Sequence, residues 1–233
     1  MDTKYSNSNA RFQSASICKT TKTKLLIDHD GGADDAMAIF MSLLYEKYFD
    51  GPEVVALTLT HGNVNESQVY INSQRILDKA GRRDVKIYRG ATRALVMPMP
   101  FDFYFGTDGL GDNEYVELKE IRAQKEHAVF ALIEFSKKYN GNDSTKPEFN
   151  AYMDVEAYQI VVDNTTTDKV TVIPFSQILT TLDFSNEWRK DVLGAIPTEI
   201  MEALNSYERI SIASSDSWSN LDPAVAAIVL DEN

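Results

Sequence analysis

Four aspartates, Asp28, Asp30, Asp34 and Asp35, stand within eight positions where a short apolar run stops and a helical pattern begins. Carboxylates this crowded repel one another unless some take up protons or a cation sits among them. Oxygen-only ligands suit Ca²⁺ or Mg²⁺, and the chain has no His/Cys cluster of the kind that binds zinc. Strand periodicity puts Asp28 and Asp30 on one face. Gly31 and Gly32 allow a sharp turn without a Cβ penalty. Asp34 and Asp35 then fall in the first turn of a helix, where free N–H groups and the macrodipole favour negative charge. The competing reading is an Asp-rich helix start with spare, solvated acids. The end of a buried strand in an α/β sheet, where ligands usually bind, favours a site.

The elements that position these acids follow from periodicity. Leu25 to Ile27 read as a buried strand. Ala36, Ile39, Phe40, Leu43 and Leu44 recur at helical spacing, and Asp50-Gly51-Pro52 ends that helix. Residues 53–60 form a second apolar strand, which stops at His61-Gly62-Asn63. Asn65 caps a helix through Lys79 that Gly81 closes, and residues 84–88 give a third strand. Strands alternating with helices predict an α/β fold: an open, mostly parallel sheet flanked by helices, Rossmann-like and three-layered, in a single domain over residues 24–233.

Residues 92–124 read as loop, with Pro98, Pro100 and the aromatics Phe101, Phe103, Tyr104 and Phe105 leading into Gly106-Thr107-Asp108-Gly109-Leu110-Gly111. This is not a phosphate loop, because no strand precedes it and no Lys-Ser/Thr follows. Helices are expected over 126–139 and 154–163, a strand over 169–175, helices broken at Pro197 over 177–205, and a short strand over 209–214. Asp222 then opens an Ala-rich helix.

A net charge of −12 disfavours nucleic acid and anionic membranes as partners. No apolar run is long enough to span a bilayer. Cys18 is the single cysteine, which fits a reducing compartment and a cytoplasmic location. Residues 1–23, rich in Ser, Thr, Asn and Lys, read as a disordered tail without the apolar core of a signal peptide.

Asp28-His29-Asp30-Gly31-Gly32-Ala33-Asp34-Asp35 resembles the Asp-x-Asp-x-Gly-x-Asp-Asp signature of the inosine–uridine-preferring nucleoside hydrolases. Gly62-Asn63, the segment Gly106 to Gly111, Asn142 with Glu148-Phe149-Asn150, and Asp222 before its Ala-rich helix match further motifs of that family in order. The resemblance implies hydrolysis of the N-glycosidic bond of ribonucleosides to ribose and free base, with water activated by Ca²⁺. It implies that Asp30, Asp35 and Asp222 ligate the ion and that Asp30 acts as general base. Asp34, Asn63, Asn142, Glu148 and Asn150 would hold the ribose, with Asp28 supporting the loop. It also implies a flap over the site around residues 101–111, and it is compatible with a homo-oligomer.

The chain departs from the family pattern at several points. Phe105 and Leu221 stand where many members have His, so the usual proton donor to the leaving base is missing. The family's strand, helix and strand before the Asn142 segment have no counterpart, nor do its C-terminal helices. Two other readings therefore stand beside the hydrolase: an impaired, truncated relative that binds metal or nucleoside without turnover, and a haloacid-dehalogenase-like phosphatase starting at Ile27-Asp28-His29-Asp30-Gly31.

Overall fold

The computed structural model of the chain describes residues 22–97, 100–139 and 184–231, with isolated positions from 143 to 182. Its organising unit is the run β1 (Lys24–His29), α1 (Ala33–Tyr48), β2 (Glu53–Leu59), α2 (Glu66–Lys79) and β3 (Lys86–Tyr88). The three strands pair in parallel in the order β1-β2-β3, with Asp28 opposite Thr58 and Thr58 opposite Tyr88.

Side chains alternate along each strand, and the two faces of the sheet carry separate cores. Leu25, Ile27, Leu57, Leu59 and Ile87 pack in one cluster with Ile39, Phe40 and Leu43 of α1 and Val69, Ile76 and Leu77 of α2. Leu26, Ala56 and Tyr88 face the other way, against Ala128, Ala131 and Phe135 of α3 (Ala128–Tyr139). These are the three layers that the sequence pattern predicts.

The local signals act as expected. The Asn65 side chain accepts the N–H of Gln68 at 3.0 Å and caps α2, and Gly81, at φ +67, follows its end. α3 starts at Ala128, two positions later than expected. The Ala128 N–H donates instead to the Arg89 carbonyl at the end of β3, at 2.8 Å.

Beyond α3, the short strands β4 (Asp143–Ser144) and β5 (Val170–Thr171) pair in parallel, and β6 (Phe184–Ser185) pairs antiparallel with β7 (Ser217–Trp218). Between β6 and β7 lie α4 (Asn186–Trp188), a π-helical turn at Arg189–Leu193, α5 (Glu199–Tyr207) and α6 (Arg209–Ser214). α6 replaces the strand expected over 209–214. Ile210 and Ile212 alternate like strand residues, but the Ile212 N–H bonds the Glu208 carbonyl at 2.9 Å and continues the winding of α5. α7 (Leu221–Asp231) closes the described chain and packs along α1.

A buried polar network fixes the approach to α7. Arg189, fully buried, donates to Glu208 Oε2 from Nε at 2.8 Å and to Asn205 Oδ1 at 2.7 Å. The Trp218 indole N–H donates to the other oxygen of Glu208 at 2.6 Å. Trp218 is thus a core residue, ringed by Phe184 and Trp188. The network joins the π-helical turn, the α5–α6 junction and β7, just before Asp222.

Removing one partner of a buried ion pair strands the other charge and typically costs about 3–5 kcal/mol. Arg189→Met is therefore expected to lower the midpoint of urea unfolding sharply. Adding Glu208→Gln should restore much of the loss, because no isolated charge then remains.

Candidate metal centre

Asp30 follows the last residue of β1, and α1 begins three residues later, so the strand-to-helix turn is made by Gly31 and Gly32. Their roles differ. Gly31 has φ +86, a conformation that side chains rarely adopt. Gly32 has an ordinary extended backbone and is needed for space: a Cβ there would meet Asn63 Oδ1 at 2.3 Å and Asp34 Oδ1 at 2.7 Å. Gly62, after β2, is constrained in the same way, since a Cβ would meet Asp30 Oδ2 at 1.9 Å. The two loops therefore approach backbone to carboxylate.

Backbone amides aim the acids. The Asn63 N–H donates to Asp30 Oδ2 at 3.0 Å, and the Gly32 N–H donates to Asp35 Oδ2 at 2.7 Å. The Asp35 N–H donates to Asp34 Oδ1 at 3.1 Å. Asp222, in the first turn of α7, reaches the N-terminal turn of α1. Carboxylate oxygens of Asp34, Asp35 and Asp222 all lie within 4.8 Å of one another. Asp30 stands beside this group of three rather than in it, its carboxylate held by the Asn63 N–H and close enough to Asp35 and Asp222 to interact with them.

The structure thus brings together Asp30, Asp34, Asp35, Asp222 and Asn63. Asn142, Glu148 and Asn150 lie outside the described residues. Asp28, though expected on the face of Asp30, is exposed, and its carboxylate accepts the Thr58 hydroxyl at 2.6 Å. The alternation of the strand does not continue through the turn into Asp30, which is buried.

Burial raises all four acids, and repulsion within the cluster adds to it at Asp34, Asp35 and Asp222. Asp35 is held well above the usual carboxylate range, first by burial and then by the charges of Asp222, Asp30 and Asp34. Asp34 rises for the same reasons, led by burial and Asp222. Burial also raises Asp30, against the Asn63 amide and the nearby His61, which favour its charged form. Asp222 is pushed up to about 6, chiefly by burial. Without a counter-ion the cluster relieves itself only by holding protons. A convergent set made wholly of carboxylates that strain against their own charge fits a hard divalent cation.

Several supports of the site were not singled out in the sequence. Asn72, fully buried on α2, donates to the Gly31 carbonyl at 2.8 Å and to the Asp108 carbonyl at 2.7 Å. It ties the acidic turn to the Gly-rich loop. A signal was available: Asn72 and Ser73 interrupt the apolar stripe of α2 between Val69 and Ile76. Ser73 bonds His29 Nε2 at 3.1 Å, and burial lowers His29 to about 3, which keeps its ring neutral.

The segment expected as a flap is anchored from Phe105 onward. Phe105 and Leu110 belong to the core, and Asp108 Oδ1 accepts the N–H groups of Leu110 and Asp112 at 2.8 and 2.9 Å. Among the described residues leading into it, Leu95, Val96, Met97 and Phe103 have exposed apolar side chains.

Residues 25–145 match the family model described as inosine-uridine preferring nucleoside hydrolase. The chain is 34% identical over 121 residues to a probable uridine nucleosidase 2 of Arabidopsis thaliana, covering 50% of this chain and 35% of that protein. It thus spans about a third of that relative's length, as it does for a probable uridine nucleosidase 2 of Oryza sativa. The inosine-uridine preferring nucleoside hydrolase of Leishmania major is 24% identical over 257 aligned positions, covering 89% of this chain and 79% of that protein. That alignment is longer than the 233-residue chain, so the relative carries internal residues without a counterpart here. Among solved structures, an inosine-guanosine nucleoside hydrolase superposes with a TM-score of 0.78 at 18% identity, covering 91% of this chain and 80% of that one. A purine-preferring ribonucleoside hydrolase from Gardnerella vaginalis gives 0.72 at 23%, covering 90% and 80%.

The raised carboxyls set a pH dependence. The cation-free folded chain retains protons that the unfolded chain releases as pH rises from 3.8 toward about 6, as for Asp222. Their stabilising contribution is complete below the unfolded value and is lost as pH climbs through the folded one. In chelator, the melting midpoint should be lower at about pH 7.5 than at about pH 5.5, and millimolar Ca²⁺ should close the gap. Thermal melts at the two pH values, with and without Ca²⁺, check this.

Proposed function

The chain belongs to the inosine-uridine preferring nucleoside hydrolase family, and from that footing we propose that it hydrolyses the N-glycosidic bond of ribonucleosides to ribose and free base with the help of Ca²⁺. The observation that carries this reading is the meeting of Asp222 with Asp34 and Asp35, acids nearly 190 positions apart in the chain, within 4.8 Å. The family match also removes the phosphatase reading.

Asp30, Asp35 and Asp222 are the residues assigned to hold the ion, with Asp34 close enough to share in the cluster. When bound, the cation lowers the pKa of a water and fixes its position. Asp30 is the carboxylate that would take up the proton of the attacking water. The Asn63 amide bond holds Asp30 for the task, and the Asp35–Gly32 bond holds the start of α1 beneath it. Cleavage passes through an oxocarbenium-like sugar, so groups that fix the ribose orient the anomeric carbon toward the water.

Asp34, Asn63, Asn142, Glu148 and Asn150 are assigned to the ribose hydroxyls. Asp28 supports the strand end through Thr58. A sugar site built from polar groups rejects a substrate lacking a hydroxyl strongly, because the site's own groups are then left unpaired. Selectivity should therefore rest on the ribose. The leaving base receives no proton from the positions of Phe105 and Leu221. The single cysteine, Cys18, supports a cytoplasmic setting.

The second reading, binding without turnover, draws on the Leishmania major alignment, in which this chain lacks internal residues of the relative.

A reducing-sugar assay over a panel of ribonucleosides separates the two. Turnover is expected with Ca²⁺, falling by about 10³-fold or more in Asp30→Ala and by about 10²-fold or more on 2′-deoxyribonucleosides. Metal binding without ribose release would favour the second reading.

A further inference from the structure

His61 sits where β2 leaves the sheet, two residues before Asn63 and beside Gly62, whose Cα lies against the Asp30 carboxylate. Its backbone N–H is spent on the Ala91 carbonyl at 3.0 Å, which fixes the residue in the loop. Both of its ring nitrogens are shielded from solvent, and neither has a hydrogen-bond partner among the described residues. Its loop is held to the acidic cluster, because the Asn63 N–H two residues on donates to Asp30 Oδ2 at 3.0 Å.

The other two histidines differ. His29 has Nε2 on Ser73 and only Nδ1 without a partner among the described residues, and His127 is exposed at the start of α3, where its Nδ1 accepts the Val129 N–H at 3.3 Å. A neutral imidazole has one donor and one acceptor to satisfy. Leaving both unmet out of water is costly unless a ligand supplies the partners.

We propose that His61 is a substrate-binding residue: its two ring nitrogens hydrogen-bond polar atoms of the nucleoside held between Asp30, Asn63 and the start of α1. This rests on the function proposed above and extends it, since His61 is outside the residues assigned there. The shared chemistry is a polar atom that meets one ring nitrogen: a hydroxyl, which accepts or donates, a ring N–H, which donates, or a carbonyl, which accepts. Such an atom belongs either to the sugar or to the base.

The test uses the full chain loaded with Ca²⁺ and two probes: D-ribose, and pseudouridine, whose carbon–carbon sugar–base link resists hydrolysis. Imidazole ¹⁵N spectra are recorded on the wild type, and calorimetric binding is compared with His61→Ala. The expected result is that pseudouridine moves the His61 ring nitrogens and leaves those of His127 in place. The variant should bind pseudouridine about fivefold or more weakly. A His61 shift with ribose alone assigns the contact to the sugar, and a shift only with pseudouridine assigns it to the base. Pseudouridine binding with unmoved His61 nitrogens and unchanged affinity in the variant overturns this proposal but leaves the hydrolase reading intact. Failure to bind either probe, together with no ribose release from any ribonucleoside, overturns both.

Discussion

The structure depends on four carboxyl groups being held against their own repulsion. Asp30, Asp34, Asp35 and Asp222 meet at the N-terminal turn of α1, largely out of water; burial raises each, and neighbouring charges add to it at Asp34, Asp35 and Asp222. The helix start offsets part of that cost through its free N–H groups and dipole. The Gly32 and Asn63 amides offset another part by bonding one oxygen each of Asp35 and Asp30. The remainder calls for protons or a divalent ion, and the ion favours the charged form of every acid in the cluster.

The rest of the fold serves that arrangement from two directions. Asn72 joins the acidic turn to the loop around Asp108, and Gly62 and Gly32 let the turn after β2 press against the carboxylates. From the other side, the Arg189–Glu208–Trp218 network fixes the chain just before α7 and so determines where Asp222 arrives. The site is therefore shared between the sheet unit and the later helices, and loosening either should disturb the same cluster.

Legibility in the sequence followed the range of the interactions. The run from β1 to β3 was readable because its signals are local: apolar periodicity, the Asn65 cap, and Gly81 after α2. The same locality misled at residues 209–214, where two alternating isoleucines suggest a strand and the continuing turn of α5 decides otherwise. Gly31 and Gly32 look alike in sequence, but one answers a backbone angle and the other a close approach. Asn72 shows in the sequence only as a break in an apolar stripe, because an amide there declares its partners only after the loops are in place. No local pattern could bring Asp222 to Asp35, and only the family resemblance anticipated it. The ribose contacts expected at Asn142, Glu148 and Asn150 fall outside the described residues.

The most direct test is calorimetric titration of the chelator-stripped chain with Ca²⁺ at neutral pH, alongside Asp35→Asn and Asp222→Asn. If acids from both ends of the chain share one ion, the wild type binds a single equivalent, and each substitution alone abolishes or greatly weakens it. An Asp222→Asn chain that binds Ca²⁺ as the wild type does would contradict the shared centre.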